Sequence, residues 1–400
     1  MAQHQNRRRI VVLGAGYTGM MCAIRAARRT RRHGGQVTLV NPSARFTERL
    51  RMHQLATGQD LPEVSIPDLL AGTGVEFVQG WATRIDPDTH EVRVDTVDGA
   101  RRLAYDTLVY AIGSVTDVSA VPGVEAHAFT LNSPGEAARL ATRLAERPAG
   151  TVAVCGGGLT GIEAATEIAE SHPGVRVVLL SRDVPGSMMS ARARGYLDRA
   201  LDRLGVEVRP GVEVTKVLPD AVQLAGGELV PVDACLWTTG FVARPLAAGS
   251  GFAMDRSGRI LVDPSLRSVS HPSTFAIGDA AAIRQSWGTI HGTCQSGIPS
   301  GAFAADAVAR QLRGRGAKPF RFGYIHQPVS LGRRDAVIQF TRADDSPRRW
   351  FLTGRLAVLY KEFVTSSPPT TYRLSKRLNV PAAALSARGG RANRHGAAGG

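Results

Sequence analysis

Two glycine-rich motifs, far apart in the chain, constrain its fold more than any other feature. Each motif follows a short apolar run and precedes a helical pattern, and a second predicted strand comes after it. The motif residues that we expect to contact a ligand are Gly14, Ala15, Gly16 and Gly19 in the first loop, and Gly156, Gly158 and Gly161 in the second. One GxGxxG motif is weak evidence in a chain with 44 glycines, but two at strand-to-helix junctions predict two dinucleotide sites.

Glycine is required in such loops for three physical reasons. The first glycine allows a tight turn, the second lets backbone N–H groups approach a pyrophosphate, and the third permits close packing of the helix on the strand. The helix N-terminus adds partial positive charge that faces the phosphates. The simplest pair of occupants is a bound FAD and an exchangeable NAD(P)H, and this predicts a flavin-dependent oxidoreductase.

The residue that ends the second strand of each unit bears on the choice of nucleotide. An acidic side chain usually holds the adenosine ribose there, about 20 residues after the glycine loop. The first unit has Asn41 at this position, and an amide can still bond ribose hydroxyls. The second unit has Ser181 followed by Arg182, a pair that would accept a 2′-phosphate. This favours NADPH over NADH, with Asp183 as a ribose ligand in the alternative interpretation.

Small residues follow three other predicted strands. Ala111 and Gly113 come at the end of the strand 107–111, and Gly240 ends the matching stretch of the second unit, so that the backbone can approach a ligand closely. Gly278 and Asp279 end a later strand and start a helix. An aspartate there can accept a hydrogen bond from a ribityl hydroxyl of flavin, whereas a helix cap is the purely structural interpretation.

The composition limits the partners that the chain can have. The formal net charge is +15, but only four of the 49 basic residues are lysine. This arginine bias is typical of a GC-rich genome, so we expect no specific nucleic-acid partner. Residues 371–400 carry six cations and no acid. They are interpreted as a solvated tail or as a segment attracted to anionic lipid or to nucleic acid, and attraction to lipid would allow weak peripheral contact with a membrane.

The sequence lacks the features that would indicate a membrane span, an export signal or a metal site. No run approaches 18 apolar residues, and the arginines at 7–9 lead into a glycine loop rather than an export signal. We therefore expect a cytoplasmic protein, and a homodimer is compatible with the sequence. The four cysteines, Cys22, Cys155, Cys235 and Cys294, are far apart and offer neither a CxxC pair nor zinc spacing. The spacing predicts no redox dithiol and no metal site.

The order of predicted elements indicates an α/β fold with two Rossmann-like dinucleotide-binding domains and a small α+β C-terminal region. Residues 1–116 and 246–325 are predicted to form a discontinuous FAD-binding domain, and 117–245 an NAD(P)-binding domain that repeats its layout. Residues 326–380 are predicted to form a C-terminal cap, and 381–400, rich in Gly, Ala and Arg, a disordered tail.

Three stretches carry a resemblance to a known family. Residues 50–58, with the sequence LRMHQLATG, resemble a segment that passes near the flavin ring in two-dinucleotide-binding flavoproteins of the pyridine nucleotide–disulfide reductase fold. The second glycine loop with Glu163, and the stretches 331–335 and 354–357, resemble type II NADH:quinone dehydrogenases and their apoptosis-inducing-factor-like relatives. The fold-level resemblance spans about residues 8–325.

The resemblance implies FAD and NAD(P)H as cofactors and a quinone-like small molecule as the electron acceptor. It implies that Glu163 lies near the nicotinamide ribose, and it makes His53 and Gln295 candidates to line the acceptor side of the flavin. The chain departs from the family in two places: the stretch 292–301 has a single glutamine, and the C-terminal region, with Pro368 and Pro369, offers little apolar face. A reductase of ferredoxin or rubredoxin and an FAD-holding redox sensor therefore remain alternatives.

Overall fold

The computed structural model describes residues 7–378, and its first sheet consists of five parallel strands. Residues 10–13 are buried on both faces of this sheet, which explains their unbroken apolar run. In sheet order the strands are Thr274–Ala276, Thr107–Tyr110, Arg8–Leu13, Gly35–Asn41 and Glu76–Gln79. The helix Tyr17–Thr30 packs on this sheet and on the helix Cys294–Gln311. Segments distant in sequence therefore surround the first glycine loop.

A second five-stranded parallel sheet repeats this layout. In sheet order its strands are Glu207–Pro210, Arg176–Ser181, Thr151–Cys155, Ala234–Trp237 and Ala128–Phe129. Its helices are Pro134–Glu146, Leu159–Ser171 and Ala191–Arg203. The two sheets confirm the predicted α/β class with two Rossmann-like units, while the residues at which one domain passes into the other stay a prediction.

Smaller elements decorate and connect the two sheets. Each unit carries a three-stranded antiparallel meander, formed by Trp81–Asp86, Glu91–Thr96 and Gly99–Ala104 in the first and by Val214–Val217, Ala221–Leu224 and Leu229–Pro231 in the second. Ser114–Thr116 pairs antiparallel with Phe241–Ala243 where the chain crosses between the units. The remaining short strand pairs are Ile260–Leu261 with Ala281–Ala282, and Arg284–Gln285 with Gly288–Thr289. The short α-helices are Met52–Leu55, Ile66–Leu70 and Val124–His127, and the 3₁₀ turns are Arg31–His33, Arg49–Arg51, Pro245–Ala247 and Gly278–Ala280.

The C-terminal region is a three-stranded antiparallel sheet followed by a long helix. The strands are His326–Ser330, Ala336–Thr341 and Pro347–Thr353, and the helix is Gly354–Ser375. The helix continues through Pro368 and Pro369. Near its end, the hydroxyl of Tyr372 donates to the carbonyl oxygen of Tyr17 at 3.0 Å. This helix therefore spans from its own sheet to the first glycine-loop unit.

Several element boundaries differ from those predicted. The sequence pattern predicts a helix at about 297–313, but this helix begins at Cys294, because Thr293 and Ser296 form a reciprocal capping box there. The pattern also predicts a first helix from about 17 to 32 and a strand at 259–262, whereas the first helix ends at Thr30 and the strand covers only Ile260–Leu261. The predicted disordered tail, 381–400, lies outside the described residues.

Candidate functional site

A cavity of about 1170 Å³ lies at the carboxyl ends of the first sheet's strands and extends to the second unit. Its volume exceeds the 300–1,000 Å³ or so that is usual for a small-molecule site. The predicted site residues that line it are Gly14, Ala15, Gly16, Asn41, His53, Ala111, Gly113, Glu163 and Asp279. Thr160 and Thr238 also line it from the second unit, so one space adjoins both dinucleotide-binding units.

The first glycine loop has the geometry that its motif predicts. Gly14 has a φ of +94°, and a Cβ added to it would press on the carbonyl group of Ala111. A Cβ on Gly19 would overlap with the carbonyl oxygen of Gly14. Gly16 differs, because within the described chain no atom lies within 4 Å of the Cβ it would carry. Gly14 and Gly19 are thus required for packing, whereas Gly16 leaves a space open at the start of a helix.

That open space fits a dinucleotide phosphate group. Gly16 is the N-cap of the helix Tyr17–Thr30 and has no side chain that could accept from the first-turn N–H groups. A helix N-terminus of this kind carries partial positive charge and donors that face an anion. Asp279, also at the cavity wall, accepts a hydrogen bond from the hydroxyl of Ser114 at 3.0 Å. Its carboxylate lies against Gly292, where a Cβ would collide with it, and it follows Gly278, whose φ is +64°. The donors, the acceptor and the space together fit FAD.

The side chain of Asn41 is hydrogen-bonded to the first glycine loop. Its side-chain oxygen accepts from the N–H of Ala15 at 3.0 Å, and its amide nitrogen donates to the carbonyl oxygen of Ser43 at 2.8 Å. Asn41 lines the cavity as well. The side chain therefore fixes the glycine loop from the end of the neighbouring strand, at the position predicted for a ribose ligand.

The second glycine loop repeats this geometry outside the cavity. Gly156 has a φ of +124°, a Cβ on Gly161 would overlap with the carbonyl oxygen of Gly156, and Gly158 begins the helix Leu159–Ser171 beside open space in the described chain. Ser181 is buried against the loop at Gly157, whereas Arg182 is exposed. Gly240, with a φ of +74°, lies beside Asp117 at the crossing between the units.

A network of buried charges forms the wall where the cavity meets the second unit. Glu163 is 8% exposed, and its Oε1 accepts from the Nζ of Lys361 and from the N–H and the hydroxyl of Ser330, both at 3.1 Å. Although burial alone raises the pKa of the Glu163 carboxyl, Lys361 and His53 more than offset this, and the pKa lies below its usual range. Glu163 is therefore an ionised carboxylate held in one orientation.

His53 lies between this carboxylate and a second one. Its Nδ1 is 4.0 Å from Oε2 of Glu163, and its Nε2 is 3.9 Å from Oε2 of Glu167. Burial lowers the pKa of His53 to about 4, so the imidazole is neutral at pH 7. The sequence did not single out Lys361 or Glu167. Glu167 could have been noticed as an acid one helical turn after Glu163, but nothing local marks Lys361.

Gln295 does not reach the cavity. Its amide nitrogen donates to the carbonyl oxygen of His326 at 3.0 Å, and its oxygen accepts from the N–H of Ile325 at 2.6 Å. Both polar atoms of the side chain are thus bonded to the backbone of the C-terminal region. These contacts are those of a structural anchor, and they give no support to the predicted role at the flavin.

The positions of the cysteines in the fold also differ from what their spacing in the sequence predicts. The Sγ atoms of Cys155 and Cys235 lie 3.6 Å apart, because the two residues occupy neighbouring strands of the second sheet. Both are buried in the core, where the pKa of Cys155 is raised well above its usual value by the hydrogen bond with Cys235 and by burial. Cys294 does line the cavity, with its pKa raised to about 11 by burial. A close sulfur pair thus exists despite its absence from the sequence pattern, but it lies away from the cavity.

Comparison with known proteins identifies a matching family model and relatives that cover most of the chain. A family model described as pyridine nucleotide-disulphide oxidoreductase matches residues 7–298. An NADH dehydrogenase-like protein of Mycobacterium tuberculosis is 34% identical over 350 residues, covering 82% of this chain and 87% of that protein. A demethylphylloquinone reductase of Synechocystis is 27% identical, covering 89% of this chain and 92% of its own length.

Solved structures share the fold at low sequence identity. The chain superposes on NDH2 from Plasmodium falciparum in complex with NADH with a TM-score of 0.77 at 14% identity, covering 93% of this chain and 97% of that one. It superposes on the sulfide:quinone oxidoreductase of Aquifex aeolicus with a TM-score of 0.78 at 19% identity, covering 92% of each chain. These two similarities show a common fold.

Proposed function

The chain belongs to the pyridine nucleotide-disulphide oxidoreductase family, and from this premise we propose that it is an FAD-dependent NAD(P)H dehydrogenase that passes electrons to a quinone. The observation that carries the proposal is the shape of the cavity. It runs from the first glycine loop, past Asp279, to Glu163 and Thr238 of the second unit. A flavin held at the first unit can meet a nicotinamide held at the second only in a space that both units share.

Each part of the proposed FAD would find a suitable partner in the first unit. The N–H groups at Gly16 would bind the pyrophosphate, Asn41 would lie at the adenosine ribose, and Asp279 would accept from a ribityl hydroxyl. Ala111 and Gly113 would let the backbone approach the bound cofactor. FAD supplies the hydride acceptor and the electron carrier, while the protein supplies binding and orientation.

The chain's own contribution would be to orient the nicotinamide and exclude water. Glu163, fixed by Lys361 and Ser330, is proposed to hold the nicotinamide ribose from the cavity wall. His53, buried and neutral, would hold its proton at the same wall. Relatives named demethylphylloquinone reductase and type II NADH:quinone oxidoreductase favour a quinone as the acceptor.

The first experiment follows flavin absorbance after anaerobic mixing with NADH or NADPH, and then adds a soluble benzoquinone. We expect rapid bleaching and rapid reoxidation by the quinone. Turnover with an iron–sulfur protein but not with the quinone would replace the proposal by a ferredoxin or rubredoxin reductase. Bleaching without turnover on any acceptor would indicate a redox sensor, and a protein that cannot be reconstituted with FAD would refute the proposal.

We propose that the second unit prefers NADPH. Ser181 ends its second strand where a carboxylate would repel a 2′-phosphate, and Arg182 is exposed next to it. Replacing Arg182 by alanine should raise the KM for NADPH about tenfold, the loss of roughly 1.4 kcal/mol in a charge-assisted contact, and leave the KM for NADH unchanged. Arg84→Ala, at an exposed arginine of the first unit, is the matched control. Equal effects of Arg182→Ala on both nucleotides would contradict the preference.

We propose peripheral contact with anionic lipid through the C-terminal helix. Within residues 7–378, no helix is long and apolar enough to cross a membrane. The prediction of little apolar face concerned the tail around Pro368 and Pro369, and an exposed apolar stripe lies earlier in the chain. Leu356, Leu359 and Phe363, one helical face, and the preceding Trp350 are 67–77% exposed. Arginines at 348, 349 and 355 adjoin this apolar stripe, a combination typical of interfacial helices.

Vesicle flotation tests this contact. The wild-type protein should float with vesicles that contain phosphatidylserine, and Phe363→Glu should float much less. Val97→Glu, at a residue that is 95% exposed on the first unit's meander, should behave as wild type. Equal flotation of all three proteins would contradict a lipid-binding role for the stripe.

A further inference from the structure

Reduction of a quinone by NAD(P)H consumes one proton, and the proposed function therefore requires a source for it. The reaction balances as NAD(P)H + H⁺ + quinone → NAD(P)⁺ + quinol. One hydrogen of the quinol comes from the nicotinamide as hydride, and the other comes from water. A side chain that lies between the solvent and the cavity can carry that proton to the acceptor.

The imidazole of His53 lies between two carboxylates that differ in their surroundings. Glu163 has three hydrogen bonds on Oε1, one of them from the ammonium group of Lys361. Glu167 is fully buried, and within residues 7–378 its Oε2 has no hydrogen-bond partner. A buried carboxylate oxygen without a donor is costly when charged. The surroundings therefore favour the protonated acid at Glu167 and the ionised form at Glu163, a separation that is typical of an acid and base pair.

The charged groups around Glu167 support this assignment. Burial raises the pKa of the Glu167 carboxyl, and Glu163 and Glu170 of the same helix raise it further. Gln59 and Arg333 act in the opposite direction but do not cancel the rise. His53, which faces Oε2 from the helix Met52–Leu55, is neutral at pH 7.

Glu167 lies only one side chain away from the protein surface. Its Oε1 accepts from the amide of Gln59 at 2.6 Å. The same amide lies 3.5 Å from the hydroxyl of Ser171, an exposed residue at the end of the helix. Gln59 itself is half-buried. Solvent at this edge is therefore separated from the buried carboxyl by a single polar side chain.

We propose that Glu167 and His53 form a proton relay that carries solvent protons to the acceptor in the cavity. The O–H bond at Oε2 of Glu167 breaks as an N–H bond forms at Nε2 of His53, and the Nδ1 proton of His53 leaves for the quinone oxygen. Glu167 then takes up a proton from solvent at the Gln59 edge. After the quinol has left, water that enters the cavity delivers a proton to Nδ1 of His53 while Nε2 releases one to water, and this exchange, which transfers no net proton, restores the first tautomer. The relay requires the 3.9 Å between Nε2 and Oε2 of Glu167 to shorten to hydrogen-bond length, and it requires Nε2 to give up its present 3.5 Å contact with the hydroxyl of Ser330.

The test compares two acceptors in the variant Glu167→Gln. Quinone reduction takes up a proton, whereas ferricyanide accepts an electron without one. The variant should reduce quinone at least tenfold more slowly at pH 8 and reduce ferricyanide within twofold of wild type. In the wild type, quinone turnover should fall as pH rises through the raised pKa of Glu167, and the variant should lack this dependence. Glu146→Gln, the same change at an exposed acid outside this charge network, should leave both reactions unchanged.

A second measurement does not depend on turnover. The infrared spectrum of the wild-type protein at pH 7 should contain a protonated-carboxyl C=O band that is absent from Glu167→Gln, with or without FAD bound. If Glu167→Gln does not fold, Gln59→Leu, at a half-buried position, should slow quinone reduction selectively by removing the polar entry. Equal slowing of quinone and ferricyanide, unchanged quinone kinetics, or an unchanged infrared band would each overturn the relay.

These results separate the relay from the proposed function on which it rests. A wild-type protein that reduces ferricyanide but no quinone would contradict quinone as the acceptor, and the infrared band would still report the state of Glu167. A wild-type protein that reduces quinone normally, together with a Glu167→Gln variant that does the same, would contradict the relay alone.

Discussion

Replacing Lys361 by methionine removes the cation from the buried ion pair at the cavity wall. Lys361 is 6% exposed, and its Nζ donates to Glu163 and to the carbonyl oxygen of Pro328 at 3.0 Å. Breaking a buried pair by removing one partner costs about 3–5 kcal/mol. The variant can limit this cost by protonating Glu163. From an unfolded-state pKa of about 4.3, protonation costs about 1.36 kcal/mol per pH unit, or about 3.7 kcal/mol at pH 7 and 2.3 at pH 6.

The pH dependence of this loss has a definite sign. In the wild type the pKa of Glu163 is lowered, so its contribution to stability is present above pH 4.3 or so and is lost as pH falls through the folded-state pKa. In Lys361→Met the pKa of Glu163 should rise above the unfolded value, so the variant loses stability as pH rises. The difference between the two proteins should therefore grow from pH 6 to pH 8.

Urea unfolding followed by tryptophan fluorescence measures this difference. Lys376→Met is the control, because Lys376 lies just past the same helix, is only half-buried, and its Nζ donates to the backbone at Asp68 and Ala71 rather than to a carboxylate. The free energy of unfolding of this control should fall by less than about 1.5 kcal/mol at every pH. A loss below about 1 kcal/mol for Lys361→Met, with no change between pH 6 and 8, would refute the idea that Lys361 compensates a buried charge. The double variant with Glu163→Gln should recover part of the stability.

Three further changes test other parts of the structure. The free energy of unfolding of Gly16→Ala should lie within about 1 kcal/mol of the wild-type value. This variant should nevertheless retain less FAD on gel filtration, because its methyl group fills the open space. Gly19→Ala should lower the free energy of unfolding by about 1–3 kcal/mol, because its methyl group overlaps with the loop. The free energy of unfolding of the wild type should fall by up to about 3 kcal/mol as pH falls from 6.5 to 4, because His53 is buried in its neutral form with a pKa of about 4. The variant His53→Gln should lack this loss over the same pH range. Asp306→Asn breaks a half-buried contact to arginines of the first helix and should lower the free energy of unfolding by about 2–4 kcal/mol in urea. Asp106→Asn breaks the more exposed ion pair with Arg9 and should lower it by less than about 1 kcal/mol. Equal losses for the members of either matched pair, or an acid loss retained in His53→Gln, would contradict these assignments.

The glycine loops show how much of this fold can be predicted from local sequence pattern. A positive φ at Gly14 and Gly156, and the contact of each third glycine with the first, depend on residues within one strand–turn–helix unit. Local spacing therefore suffices to predict the fold class and the two dinucleotide-binding loops. His53 and Glu163 were suggested by resemblance, and the fold brings both to the cavity.

The surroundings of Gln295 and of the C-terminal helix depend on tertiary packing. A glutamine near a helix start suits a ligand or a structural anchor equally, and its bonds to the backbone at 325 and 326 exist only because the third sheet packs there. The apolar stripe lies before Pro368 and Pro369, and its exposure depends on which face of the helix packs against the rest of the protein.

Spacing along the chain determined the two nucleotide-binding units, because a phosphate loop is built from neighbouring residues whose backbone geometry dictates their identity. The charge network at the cavity wall has a different origin. Its members, His53, Glu163, Glu167 and Lys361, come from three separate helices. Their protonation states depend on burial and on charges only a few ångströms away. Proximity of this kind arises when distant segments pack together, and the order of residues along the chain does not record it.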